Sequence, residues 1–294
     1  MNNFRPDSVI GASARSDRAT SMVAAGITAY LTITVIPMLR HAIGAHDPLP
    51  LIVHLAALSI AGTVLALPAA RLRTLRDWLP LVLGPFLYIE LRWLIAGFGR
   101  PHMDATVIGW ERVIFPGDPS HTLAVRFPSL AASELLHACY LSYYALVLVP
   151  PALLYFRGRR NEFSASTMAL SLVYLTCFAC FLLFPVDGPR FLVGPAEAPA
   201  GPIRAAVLHL LQQGSSRGTA FPSSHVAASV VAAVSALQHQ RQVGYLVTAL
   251  AAGLTVSTVY GGFHYGVDAI AGLLVGLLAS GAAWWLWRAM PASA

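Results

Sequence analysis

The sequence predicts an all-α fold, a polytopic bundle of about eight transmembrane helices, and three observations predict it. Eight stretches are each apolar for close to the ~20 residues that a helix needs to cross a bilayer. Only 11% of the residues are charged, against roughly 25% in a soluble domain, and the mean hydropathy is +0.64. The basic residues are 19 arginines and no lysine, dispersed among the apolar stretches and not gathered on one face, which excludes nucleic acid as a partner.

The elements follow in order. Span one, 20–38, comes after a polar segment with no small-residue cleavage motif and reads as a retained helix, not a signal peptide. Spans two and three are 50–70 and 79–98. The third carries Glu90 and Arg92, which lie on different helix faces, so each is expected to pair with another span. Residues 103–120 are amphipathic and fit either a surface lid or a plain connecting loop. Spans four and five, 131–155 and 167–186, hold Cys139, Cys177 and Cys180 in apolar settings that suit neither a zinc site nor a disulfide framework. Spans six, seven and eight are 222–238, 243–263 and 265–287. The eighth carries Gly272 and Gly276, four apart, as a close helix-packing face. No repeat or break in composition divides the chain, so 1–19 is expected to be a cytoplasmic N-terminal segment and 20–290 one transmembrane domain.

Arginine placement orients the bundle, because cytoplasmic loops collect basic residues. With the N-terminus inside, that side holds Arg5, Arg15 and Arg18, then Arg71, Arg73 and Arg76, then Arg157, Arg159 and Arg160, and finally Arg241 and Arg288. The other side holds Arg40, Arg100, Arg112, Arg126, Arg190, Arg204 and Arg217, mostly in longer loops. Span parity then brings Arg190, Ser223, Ser224, His225, His264 and Asp268 to one membrane face, expected to be extracytoplasmic in a plasma (inner) membrane.

That set has a chemistry. Pro222 suits a first helical turn, whose free N–H groups with the hydroxyls of Ser223 and Ser224 make an anion-binding end. Arg190 offers fixed donors for phosphate oxygens. Asp268, four residues after His264, can reach its imidazole and fix the tautomer, leaving a neutral nucleophile. His225 can then serve as general acid on the leaving oxygen. The set reads as phosphoryl transfer through a phosphohistidine, with no metal or other cofactor.

These residues resemble the type 2 phosphatidate phosphatase superfamily, which shares its fold with the vanadium haloperoxidases. Its signatures are K-x6-R-P, P-S-G-H and S-R-x5-H-x3-D. Here the second stands as Pro222-Ser223-Ser224-His225, and the third as Ser257-Thr258, five residues, His264, three residues, Asp268. The first is reduced to Arg190 in "DGPRF". The likeness covers roughly residues 167–287 and implies a catalytic core of six spans. It also implies that His264 is the nucleophile, Asp268 its orienting partner, His225 the general acid, and Arg190, Ser223 and Ser224 the phosphate cradle. Glu90, Arg92 and Tyr260 are candidate supporting residues.

Two departures stand out. The family lysine falls at Leu183 and the arginine of the third motif at Thr258, so two cations are missing unless Arg92, Arg100 or Arg217 replaces them in space. A phosphodiester carries less charge than a monoester, so the poorer cation set suits a diester donor. The forms "FPSSH" and "HYGVD" are similar to the inositol-phosphorylceramide synthase branch. The resemblance therefore implies a phospholipid headgroup phosphotransferase acting on a phospholipid or lipid phosphate, with a lipid or polyol alcohol, or water, as acceptor. The alternative is a lipid phosphate phosphatase. Outside this class, the two histidines with Asp268 also allow a metal site. Glu90, Arg92 and Glu134 allow an ion relay in a transporter, although the paired broken spans of that class are not seen.

Overall fold

The structure is a computed structural model that describes residues 6–67 and 72–291. Arg5 and Arg71, counted above for orientation, lie outside the described residues. The described residues form thirteen helices and no strand: α1 (Pro6–Ala45), α2 (Leu49–Ala66), α3 (Arg73–Phe98), α4 (Asp104–Ile114), α5 (Pro119–Arg126), α6 (Leu130–Leu141), α7 (Tyr143–Phe156), α8 (Arg160–Leu183), α9 (Pro189–Leu192), α10 (Pro202–Gly214), α11 (Ser224–His239), α12 (Arg241–Tyr260) and α13 (Gly266–Ala289).

Six helices, α1, α2, α3, α8, α12 and α13, are long and apolar enough to cross a membrane. The predicted fourth span is a broken one, α6 and α7 meeting at 44°. Ser142 marks the break, and its hydroxyl donates to the Cys139 carbonyl at 2.6 Å in competition with the helix ladder. The predicted sixth span is α11, whose 16 residues reach only ~24 Å. Its buried alanines, among them Ala227, Ala228, Ala232 and Ala236, pack it between α8, α12 and α13, so an inner helix with little lipid contact need not match the bilayer. Gly272 and Gly276 of α13 form the expected packing face. A Cβ on Gly272 would stand 2.5 Å from the Ser223 carbonyl oxygen, and one on Gly276 would stand 2.6 Å from that of Ala227.

The two ends of the bundle differ in kind. At one end Arg160 clasps Asp77 with two bonds of 2.7 Å and reaches Asp17 with a third. Asp77 is fully buried, so removing either partner strands a charge at a cost on the order of 3 kcal/mol. Arg76 donates to the carbonyls of Val64, Leu65 and Leu67, the open C-terminus of α2. Arg159 does the same for His239 at the end of α11. The opposite end carries α4, α5, α9 and α10 and the loops that begin α11 and α13.

A cysteine replacing Val193, 72% exposed beside α9, is expected to react with a membrane-impermeant thiol reagent outside intact cells. A cysteine replacing Arg157 is expected to be silent until the cells are opened. The reverse labelling pattern would turn the bundle over.

Candidate active site

Three loops meet at that second end, and backbone bonds fasten them. The Val186 N–H donates to the Gly218 carbonyl (3.3 Å) and the Ala220 N–H to the Val186 carbonyl (2.8 Å), an isolated parallel bridge between 186 and 219. The Asp104 carboxylate accepts the N–H groups of Asp187 and Gly188. Gly188 has φ 84°, and a Cβ there would meet the Ala220 Cβ at 2.9 Å, so only glycine lets the two loops close. One residue later Pro189 opens α9, which carries Arg190 into the space between the loops.

His264 sits on the third loop, just ahead of α13. The backbone N–H groups of Phe263 and His264 both donate to the Thr258 carbonyl at 3.0 Å, so the residue at the lost arginine position is buried as an anchor of the loop. His264 Nδ1 lies 3.0 Å from the Ala220 carbonyl oxygen. A carbonyl only accepts, so the proton is on Nδ1 and the lone pair on Nε2. The tautomer expected from Asp268 is thus set by a backbone oxygen. Asp268 Oδ2 stands 3.5 Å from Nδ1 and accepts the Tyr265 N–H at 2.8 Å. Burial first, and then the Arg190 charge, draw the His264 pKa down to about 4, against the opposing bond to Ala220.

His225 lies in the first turn of α11. Its ring is stacked on Tyr140 (centroids 5.2 Å) and tilted against Tyr143 (4.4 Å), and its Nε2 is 3.3 Å from the Tyr140 hydroxyl. The two tyrosines flank the α6–α7 break, so the bend aims both at one imidazole. The His225 and His264 ring centroids are 6.0 Å apart. Arg190 completes the set: its guanidinium lies over the Phe191 ring at 4.4 Å and bonds to the Ser215 hydroxyl. His225, His264 and Arg190 line one cavity of about 30 Å³ with Tyr88, Tyr140 and Ser215. Tyr88, Ser215 and His225 also line an apolar chamber of about 220 Å³ that runs back to Pro80 between α3, α7 and α8.

Other expected residues are placed differently. Ser223 is the N-cap of α11: its hydroxyl accepts the Val226 N–H, and its own N–H donates to the Asp268 carbonyl. Pro222 therefore precedes the cap and does not open the first turn. Ser224 lines the apolar chamber and not the small cavity. Glu90 is buried against His54 at 3.0 Å, and Tyr260 donates to the Phe127 carbonyl, so neither supports the site. Arg92, Arg100 and Arg217 line a separate cavity, and Leu183, 60% exposed, lies against an outer groove. Among the described residues, Arg190 is the one arginine lining the small cavity. Glu134 caps α10 by accepting the N–H groups of Ile203 and Arg204, so its carboxylate is engaged at a helix end and not with Glu90 or Arg92. The amphipathic segment 103–120 holds α4 and the first two residues of α5, and none of it lines the small cavity. Glu111 ties α4 down by accepting the N–H groups of Gly266 and Val267 at 2.9 Å, and Trp110 stacks on Phe184.

Sequence reasoning missed Tyr140, Tyr143, Asp104 and Asp187. The run "CYLSYY" signalled the tyrosines as a polar aromatic cluster in an apolar span. Among the described residues, the one group with metal-ligand proximity is His102, Asp104 and Asp187, not the two histidines with Asp268. Its carboxylates are already taken by backbone N–H groups and by His102 itself.

The sequence profile of the PAP2 superfamily matches residues 117–282, a stretch that contains Arg190, Ser223, Ser224, His225, His264 and Asp268. No curated protein and no solved structure matches the chain.

On the expectation that His264 is the nucleophile, it must be neutral to attack, and its lowered pKa would extend activity toward acid. The acid limb of kcat/KM, which reports the free enzyme, is expected well below pH 6.5 and toward 4. Replacing Arg190 by Gln removes one lowering influence and should move that limb up. A limb at the ordinary histidine value would show that His264 is not the group that must be deprotonated.

Proposed function

The chain belongs to the PAP2 superfamily of phosphatases and phosphotransferases of phosphate esters, and on that premise we propose that it cleaves a lipid phosphoester through a phosphohistidine and passes the phospho-group to an alcohol. One observation carries the reading: His264 presents a lone pair on Nε2 in a cavity shared with His225 and Arg190, and that cavity joins an apolar chamber. Along α3 the chamber runs from Tyr88 back to Pro80, eight helical rises or ~12 Å, which suits a hydrocarbon chain whose phosphate lies at Arg190.

The steps balance as follows. His264 Nε2 forms a bond to phosphorus while the ester P–O bond breaks, and protonated His225 gives its proton to the leaving oxygen. The phosphoimidazolium keeps its Nδ1–H on the Ala220 carbonyl, with the Asp268 carboxylate 3.5 Å away to offset its charge. Neutral His225 then takes the proton of the acceptor hydroxyl as that oxygen attacks phosphorus, and His264 leaves as it began. With a lipid or polyol alcohol as acceptor the enzyme is a headgroup phosphotransferase of the inositol-phosphorylceramide synthase kind. Water as acceptor gives a lipid phosphate phosphatase, a second reading that the cavity of about 30 Å³, large enough to admit a water, also accommodates.

His264→Ala is expected to abolish turnover and the acid-labile phosphoenzyme together. His225→Ala should slow phosphoenzyme formation by ~10²–10⁴, less with a good leaving group. Asp268→Asn should be milder than His264→Ala, because it disturbs charge and leaves the nucleophile. Full activity in His264→Ala would end the mechanism. Phosphatidate and intact phospholipids, each supplied with and without candidate alcohols, separate the two acceptors. Phosphate release from phosphatidate that no alcohol diverts would leave the phosphatase reading alone.

A further inference from the structure

A second cavity adjoins the one at His264. This second space, of about 610 Å³, shares Phe191, Ser215 and Ser216 with the first and is also lined by Arg92, Arg100, Arg217 and His102. Phe191 stands between the two spaces with a guanidinium on each account: Arg190 at 4.4 Å from the ring centroid and Arg217 at 5.2 Å. One aromatic ring therefore separates the cation of the reacting centre from the first cation of the basin. Such a ring holds both guanidiniums by cation–π attraction while keeping them apart.

Two of the basin's three arginines carry no internal counter-charge: among the described residues, Arg92 and Arg100 have no carboxylate within ion-pair distance. Asp187, which lines the small cavity and not the basin, is shared by Arg217 (3.2 Å), His102 (2.7 Å) and the Gly218 N–H (2.9 Å). Arginines gathered on one concave space are suited to a phosphate, which accepts their paired donors. The space adjoins the point where a lipid ester would be held, and Ser215 lines it together with the small cavity and the apolar chamber.

We propose that this basin binds a second phosphate, carried on the headgroup of the lipid whose ester reacts at His264. The inference rests on the reading that the reacting phosphorus belongs to a lipid ester. It makes the substrate doubly anionic: one phosphate at Arg190, the other at Arg92, Arg100 and Arg217, with the hydrocarbon in the apolar chamber.

The test uses the full-length protein and two lipids that differ by one headgroup phosphate, phosphatidylinositol and phosphatidylinositol 4-phosphate. Lipid retained per protein is read by native mass spectrometry, and kcat/KM is read from headgroup products. Both are measured in uncharged detergent and in neutral vesicles carrying cholesterol sulfate, an anionic lipid with no phosphorus. The wild type should favour the lipid with the extra phosphate by about tenfold to a hundredfold, the worth of charge-assisted bonds to one anion. Arg100→Gln and the Arg92→Gln/Arg100→Gln pair should collapse that ratio toward one, whereas Arg112→Gln, on the exposed face of α4, should leave it. Both basin arginines are exposed, so these variants test charge without opening the core. Equal retention of the two lipids by the wild type, or an equal loss on both in the variants, would overturn the proposal. So would erasure of the preference by cholesterol sulfate, which would make the basin an anchor for bystander headgroups. A retained preference with no product from either lipid would support the basin and sink the lipid-esterase reading instead.

Discussion

The site depends on a single residue's backbone, that of Ala220. Its N–H is fixed to Val186 and its carbonyl to His264, so one peptide segment joins the loop that carries Arg190, the loop that starts α11 and the loop that starts α13. Net, a hydrogen bond is worth only ~1 kcal/mol to stability. Its worth here is positional: the carbonyl direction decides which imidazole nitrogen holds the proton and which keeps a free lone pair. Gly188, with no side chain to fend off Ala220, and Thr258, whose carbonyl holds two successive N–H groups, serve the same closure from either side.

Acidic residues at this end act as caps. Glu111 closes the start of α13, Glu134 that of α10, Asp118 that of α5, and Asp104 the turn before α9. Burial pushes the Glu111 carboxyl up while the two N–H groups it accepts pull the other way. A carboxylate engaged by a helix N-terminus neutralises that end's partial charge. It is then poorly placed to neutralise an arginine as well. The surplus of positive potential around Arg92, Arg100 and Arg190 follows from this division of labour.

Much of this was legible in the sequence, and the reasons differ by residue. Apolar length marked the spans, and parity brought Arg190, His225 and His264 to one end because each lies at a span boundary. The helix α11 was harder: its run of alanines is apolar in composition but buried in protein, which hydropathy does not distinguish from lipid. The backbone carbonyl of Ala220 has no side-chain signature, so spacing pointed to Asp268 as the tautomer-setting group. His264 lies before α13 and not within it, so the four-residue separation does not stack the two side chains as it would on a helix. Ser223 looked like a phosphate ligand, and the same hydroxyl chemistry made it an N-cap. Glu90 met His54, a partner 36 residues away that no local pattern indicates.

The apolar chamber beneath His225 also bears on how such a molecule is fed. Its walls are helices of the bundle, so on the proposed reading the tail of a lipid substrate enters from the side, between helices. A molecule arriving that way travels in two dimensions. Its supply is set by its mole fraction in the surrounding leaflet, and diluting the leaflet with inert lipid starves the enzyme even when the amount of substrate per volume of suspension stays constant.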